Sequence, residues 1–163
     1  MTTDFVNVTY QYKTNSGLFK RTVEAIPPEK WFEKPSADLN HLLWVAGHLL
    51  HTRTLVLKLL GVEYPLSWAA IFGRGAKQAP NDQYPTPAEI LRAWDDVASR
   101  LENGLEGATA EQLARDLPQT SPAPPPFDGK VSGKIAFLSL HEAYHLGQLG
   151  LLRKWLGYGQ AVG

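Results

Sequence analysis

Residues 132–156 read SGKIAFLSLHEAYHLGQLGLLRKWL, the last long apolar segment of the chain, and this segment carries His141 and His145. On a helix, residues four apart lie on one face, separated by about 40° of rotation and ~6 Å of rise. Two imidazoles in that arrangement can bind one divalent metal ion. The segment therefore predicts a helix that carries two ligands of a metal site.

Both histidines lie on the apolar stripe of this predicted helix. With Leu138 at the centre of a helical wheel, the stripe spans about 60° on either side. It holds His141, His145, Leu149, Leu152 and Leu156. A bundle would turn this stripe inward, so the imidazoles are predicted to face a neighbouring helix.

A second apolar segment supplies further histidines. It begins near Ser36 or Asp38, both good N-caps, and ends at Gly61. Its inward stripe contains His41, Trp44, His48, Leu55 and Leu59, with His51 at the edge. His48 lies mid-helix and is favoured as the third ligand, whereas His41, about 10 Å nearer the helix start, is predicted to line a pocket mouth.

The pattern His141-Glu142-x-x-His145 also matches the motif of zinc endopeptidases. Such enzymes usually take a third ligand downstream, and no His, Asp, Glu or Cys follows His145. A third ligand must therefore come from upstream, between helices. Alternatively, the histidines are core residues satisfied by hydrogen bonds. A shared metal is favoured because burying several unpartnered imidazoles costs a few kcal/mol each.

Two further helices complete the predicted fold. The first spans about residues 10–26 and stops at Pro27-Pro28; another opens with Thr86-Pro87-Ala88-Glu89 and fades near Gly104. A short helix is expected from Thr109. No stretch alternates as a strand does. The chain is predicted to be one all-α domain over residues 1–163, a four-helix bundle whose long loops, 65–80 and 118–129, are crossovers or binding segments.

Composition narrows the classes of function. The chain has 163 residues, with 16 basic and 16 acidic side chains and no cysteine. Disulfides and cysteine metal sites are excluded, and no net field favours nucleic acid or membrane surfaces. No apolar run approaches the ~20 residues of a membrane helix, and the first residues do not resemble a secretory signal. A cytoplasmic location is therefore expected.

Several blocks together resemble the DinB-like family, which is distinct from the DNA polymerase of the same name. They are HLLWVAGHL (41–49), Trp68 with FGRG (72–75), YPT (84–86) and HEAYHLGQ (141–148). The resemblance extends from about residue 10 to residue 158. It implies a four-helix bundle with unusual connectivity and a metal ion, usually zinc or nickel, held by His48, His141 and His145.

The resemblance also suggests a reaction class. Some relatives are thiol-dependent transferases or isomerases that bring a low-molecular-weight thiol to the metal, while many others have no known reaction. The chain is therefore expected to be a metal-dependent enzyme with a small-molecule substrate. The alternative is a non-enzymatic, metal-stabilised bundle that acts as a binding or stress-response protein. The sequence identifies no catalytic residue.

The roles of several neighbouring residues stay open at this point. Glu142 could orient a ligand histidine, act as a base, or pair with a surface cation. Gln148 could support a ligand from outside, Gly147 is predicted to be a close helix-packing position, and Arg53 to be structural or interfacial.

The last helix is apolar around much of its circumference. Outside the histidine stripe it carries Phe137, Leu140, Tyr144, Leu146 and Leu151. This excess predicts an additional interface, and a homodimer is expected. The alternative is cover by the two long loops.

Overall fold

A computed structural model, which describes residues 3–118 and 127–161, contains five α-helices in this part of the chain. They are α1 (Thr3–Val23), α2 (Leu42–Leu59), α3 (Pro87–Gly107), α4 (Ala110–Ala114) and α5 (Val131–Trp155). Short 3₁₀ helices lie at Pro28–Lys30, Ala69–Phe72 and Asn81–Gln83. No strand occurs among the described residues, so the all-α prediction is confirmed.

Helices α1 and α5 pack side by side in the same direction. Ser139 donates to Gln11 at 2.9 Å near one end, and Arg153 donates to the carbonyl of Thr22 at 3.0 Å near the other. Since both residue numbers rise together, the two helices are parallel.

Helix α3 runs against α1 and along α2. Lys13 pairs with Glu106 at 2.8 Å, and Lys20 pairs with Asp95 at 3.0 Å, so residue numbers on α1 and α3 change in opposite directions.

Helix α2 packs on both α3 and α5. Arg53 of α2 lies over the ring of Trp94 of α3, and Leu60 at the end of α2 approaches Gly104 of α3, so these two helices run in the same direction. The bundle thus has two parallel pairs, α1 with α5 and α2 with α3.

The segment between α2 and α3 is a crossover, because it joins two parallel neighbours. It begins after Leu59 and ends at Thr86, and it includes two of the 3₁₀ helices. One of them, Ala69–Phe72, packs on α2. Most of the other predicted loop, residues 119–126, lies outside the described residues.

Helix boundaries were predicted well where capping is local. Thr86 and Glu89 form the predicted capping box, and α5 ends within one residue of the predicted position, followed by Gly157 with φ 90°. The predicted start of α2 at Ser36 or Asp38 was wrong. Helix α2 starts at Leu42, and the ring of His41 caps it by accepting a hydrogen bond from the Trp44 backbone N–H.

Helix α1, in contrast to α2, starts earlier than predicted, at Thr3 rather than near Tyr10. None of the helices in the described ranges is both long and apolar enough to cross a bilayer.

Candidate metal centre

Three histidines from two helices meet between α2 and α5. The Nε2 atom of His141 lies 3.2 Å from Nε2 of His48 and 3.1 Å from Nε2 of His145. The three ligand atoms all lie within 4.8 Å of one another, and the group could hold a metal ion. His48 is buried, whereas His141 and His145 are half-buried. These are the residues that the sequence singled out.

A backbone carbonyl fixes the ring of His48. Its Nδ1 lies 2.7 Å from the carbonyl oxygen of Phe72. A carbonyl can only accept, so Nδ1 carries the proton and Nε2 presents its lone pair to the cluster. Trp44 stacks on the other side of the ring, with centroids 4.9 Å apart and planes 8° from parallel. The ring is therefore held in both tautomer and orientation.

Gly47 makes this hydrogen bond possible. A Cβ at this position would collide with the ring of fully buried Phe72. Without a side chain at residue 47, the Ala69–Phe72 turn can lie directly on α2, and Trp44 Nε1 donates to the Ile71 carbonyl at 3.2 Å. The Gly-His pair of α2 and the Phe-Gly pair of the crossover thus belong to one structural unit.

His145 has a corresponding partner on its own helix. Its Nδ1 lies 2.7 Å from Oε1 of Gln148, one turn further along α5. The amide oxygen accepts the Nδ1 proton, so Nε2 of His145 also presents a lone pair. The supporting role predicted for Gln148 agrees with this contact.

The position of His141 tests whether a metal fits. The Nε2 lone pairs of His48 and His145 are both directed to the neighbourhood of His141 Nε2, and a neutral His141 has one ring proton to offer. Its Nδ1 is buried and has no hydrogen-bond partner among the described residues. The one ring proton of His141 cannot satisfy the lone pairs of both His48 and His145. A cation bound by all three Nε2 atoms would satisfy all of them.

Two of the three separations between nitrogens also match those around a metal, and the third, between His48 and His145, is within 4.8 Å. Tetrahedral zinc with Zn–N bonds of about 2.1 Å places its ligand nitrogens about 3.4 Å apart, and cis ligands of an octahedral ion at that bond length are about 3.0 Å apart. The observed distances from His141, 3.1 and 3.2 Å, lie between these values. The donor set therefore suits a borderline divalent ion that accepts imidazole ligands.

The site favours the neutral imidazoles of His141 and His145. The pKa of His141 is lowered to about 4, mainly by burial and then by the nearby His145, His48, Lys134 and Arg74 in that order. Burial also lowers the pKa of His145, although its hydrogen bond to Gln148 acts in the opposite direction. Neutral imidazole is the form that binds a metal, so these two rings are ready for ligation near neutral pH.

The two alternative histidines stay outside the cluster. His41 was predicted to line a pocket mouth, but this was wrong: it is 4% exposed, caps α2, and packs edge-on against Tyr84 with centroids 5.1 Å apart. His51 is half-buried and is not a member of the group that could hold a metal.

Glu142 is occupied by a buried cation. Its carboxylate accepts two hydrogen bonds from Arg53, each 2.8 Å long, and the two side chains are 1% and 0% exposed. Arg53 also donates to Ser16 Oγ at 2.8 Å and lies 3.9 Å above the ring of Trp94. Of the roles considered for Glu142, pairing with a cation is the one seen, but the cation is buried rather than at the surface.

This ion pair removes Glu142 from the chemistry of the site. The Glu142 carboxylate lies beside Arg53, which also contacts Ser16 of α1 and Trp94 of α3. The histidines before and after Glu142 instead face α2. In a zinc endopeptidase the glutamate of the motif serves as general base. Here that carboxylate is buried and satisfied, so the similarity to the protease motif is one of spacing only.

Sequence reasoning missed the groups that orient the ligands. The Phe72 carbonyl has no side-chain signal, and its contact with His48 depends on the path of the crossover. Gly47 was a usable signal, since a glycine inside an apolar helix often marks a close approach. Gly147 was predicted to pack closely, but a Cβ there would meet nothing within 4 Å in the single chain.

Sequence similarity places the chain in a known protein family. Among curated proteins none matches this sequence. The family model described as DinB superfamily matches residues 11–149, which include α2, the crossover and the three histidines. The family match, the helical bundle and the histidine cluster together fit a protein that can bind a metal. The chain belongs to the DinB superfamily.

Proposed function

We propose that the protein is a metal-dependent enzyme in which His48, His141 and His145 hold one divalent ion, zinc or nickel. The observation that carries this proposal is the convergence of three Nε2 atoms, two of them on rings whose Nδ1 atoms are already bonded. Three protein ligands leave a coordination position free, which is the pattern of catalytic rather than structural zinc sites.

The proposed substrate class is a low-molecular-weight thiol, with water as the alternative nucleophile. A metal ion at this site would lower the pKa of a bound thiol or water and so supply a nucleophile near neutral pH. Arg74 and Lys134 are close enough to lower the pKa of His141. Their positive charge favours an anionic ligand such as a thiolate beside the cluster. Transferase or isomerase chemistry is consistent with this arrangement.

The base of such a reaction must be a group other than Glu142. A carboxylate that accepts two charged hydrogen bonds and is 1% exposed cannot reach a substrate without leaving Arg53 unpaired. A thiol that ionises on the metal needs no strong base from the protein. This supports thiol chemistry over peptide hydrolysis.

The test uses the cobalt(II) form of the protein and a panel of low-molecular-weight thiols. We expect thiols to change the visible spectrum of the wild type and to leave that of His48→Ala unchanged. His51→Ala is the matched control, since it removes a histidine of the same helix that lies outside the cluster. We expect it to respond as the wild type does.

A wild type that does not respond to thiols would contradict the proposal. If the wild type binds about one metal per chain but no thiol or small anion alters its spectrum, the fourth position is closed. The protein would then be a metal-stabilised bundle whose function lies in what its exterior binds.

A further inference from the structure

The turn that follows Phe72 presents an arginine beside the histidine cluster. The Phe72 carbonyl accepts a hydrogen bond from a ring of the cluster, and the chain then turns, because the Ala76 N–H donates to the Gly73 carbonyl at 3.0 Å. Gly75 takes the third position of this turn with φ 77°, which is the pattern of a type II turn. Arg74 therefore occupies the corner, and its Cα atom lies at most about 7 Å from that of Phe72.

Helix α5 supplies a second cation on the face that carries the histidines. Lys134 precedes His141 by seven residues and His145 by eleven, so all three lie within about 40° of one another around the helix. The Lys134 ammonium lies 5.2 Å from the ring centre of Phe127 and 5.5 Å from that of Phe137. Aromatic rings attract a cation but offer it no anionic oxygen, so the ammonium can still bind an anion.

The charges of these two side chains are not neutralised within the described part of the chain. None of the ion pairs among the described residues includes Arg74 or Lys134. The pKa of His141 is lowered mainly by burial, and both cations are close enough to contribute to that shift. Glu142, the acidic residue next to His141, is bound by Arg53. A divalent metal held by neutral imidazoles would add to this positive charge.

We propose that Arg74 and Lys134 bind a carboxylate of the substrate while another atom of the same molecule binds the metal. This inference rests on the proposed metal-dependent function and adds a charge to its substrate. A guanidinium offers a planar pair of donors that matches a carboxylate, and an ammonium supplies three further donors. One cation comes from the crossover and the other from α5, so a small acid that reaches the metal from this side meets both.

The cobalt(II) form of the protein and two matched thiols test the proposal. Mercaptohexanoate and mercaptohexanamide have the same length and the same thiol, but they differ in charge at the far end. For the wild type, the visible spectrum should show that the carboxylate binds at least about 10-fold more tightly than the amide, the sum of two modest ionic contacts. This ratio should fall as the ionic strength rises, because Arg74 is exposed.

Single variants assign the preference to the two cations. Arg74→Gln and Lys134→Gln should each lower the ratio of dissociation constants by about 3-fold, since each removes one ionic contact. Arg74→Lys should retain part of the ratio, because it keeps the charge but loses the planar pair of donors. Lys77→Gln is the matched control: Lys77 is an exposed cation of the same crossover, one residue beyond the turn, and we expect the wild-type ratio. Circular dichroism and metal content of each variant report folding and metal binding separately.

The outcomes distinguish this inference from the proposed function. If neither thiol alters the spectrum of the cobalt-loaded wild type, the proposed function fails and the carboxylate site fails with it. If both thiols bind with equal affinity, the carboxylate site alone is overturned. A preference that persists in both Arg74→Gln and Lys134→Gln would show that the metal, rather than these side chains, binds the carboxylate, and it would also overturn the inference.

Discussion

Two polar clusters join α5 to the rest of the bundle, and they differ in what they leave unsatisfied. In the ion pair of Arg53 and Glu142, both oxygens of the carboxylate are bonded and the guanidinium has further partners on α1. In the histidine cluster, the outer nitrogens of His48 and His145 are bonded, but the inner ones converge without enough protons to satisfy them.

The difference teaches how adjacent residues on one helix can take separate roles. Residues 141 and 142 are about 100° apart around the helix, so His141 faces the histidine cluster and Glu142 faces the ion pair. We refer to the histidine cluster as the open cluster and to the ion pair of Arg53 and Glu142 as the closed cluster. A closed cluster stabilises the fold and has no capacity for a ligand. An open cluster has capacity for one, and the energy of its assembly must come from the bundle that surrounds it.

Breaking the closed cluster should have the largest effect. Glu142→Leu would leave Arg53 buried and unpaired, which we expect to lower the free energy of unfolding by about 3–5 kcal/mol. Urea unfolding followed by circular dichroism measures it. The double variant Arg53→Met with Glu142→Leu should recover most of the loss, because no charge remains buried. A single variant as stable as the wild type would contradict the role given to the pair.

The open cluster should instead respond to metal. At zinc or nickel concentrations 100 to 1,000 times the dissociation constant, we expect wild-type stability to rise by about 3–4 kcal/mol, since only the folded chain assembles the site. His145→Ala should lose this increase while changing metal-free stability little, and His51→Ala should keep it. Equal metal content in wild type and His145→Ala, by elemental analysis, would show that the cluster is not the site.

The groups outside the cluster offer a finer test. Gly47→Ala should displace the Phe72 ring and carbonyl, freeing His48 Nδ1, and we expect metal affinity to fall 10- to 100-fold, or about 1.4–2.7 kcal/mol. Nitrogen-15 NMR of the metal-free protein should show His48 losing its fixed tautomer. Gly17→Ala is the control, because a Cβ there makes only an ordinary contact with Arg21. Unchanged metal affinity in Gly47→Ala would show that the contact between the crossover and His48 does not support metal binding.

The buried imidazole of His41, outside the cluster, gives the smallest expected effect. Burial, with a contribution from Lys34, lowers the pKa of His41 to about 4. The folded state therefore binds fewer protons than the unfolded state between about pH 6.5 and pH 4, and stability falls as the pH falls through this range. Between pH 6.5 and pH 5 we expect His41 to contribute on the order of 1–2 kcal/mol to that loss.

His41→Asn isolates this contribution, since asparagine is also a good N-cap but does not titrate. In metal-free protein, the slope of stability against pH below 6.5 should be shallower in the variant than in the wild type. Identical slopes would mean that protonation of His41 is not linked to folding. The comparison uses slopes because loss of the ring contacts also changes the baseline.

Sequence predicted those features that depend on local spacing. The pair His141 and His145 follows from one helical turn, and His48 follows from the apolar stripe of α2. The capping box at Thr86 was equally local. The start of α2 was missed because Ser36 and Asp38 offered ordinary caps, whereas the actual cap is an imidazole, a less usual acceptor, at residue 41.

Features that depend on tertiary approach could not be predicted. Glu142 pairs with Arg53 across 89 positions of the sequence, and periodicity on one helix gives no information about which charge lies opposite. The path of the crossover, which brings the Phe72 carbonyl to His48, has no periodicity at all. For the same reason the sequence marked Gly47 and Phe72 separately but did not connect them.

The pairing of α2 with α5 also sets the order in which the molecule can be completed. His48 and His141 are 93 positions apart, and α5 is the last helix of the bundle. A chain still on the ribosome presents His48 without its partner histidines until α5 has been synthesised and has closed this long loop. The histidine cluster thus forms only when α2 and α5 have docked, and bound metal would mark a bundle that has closed.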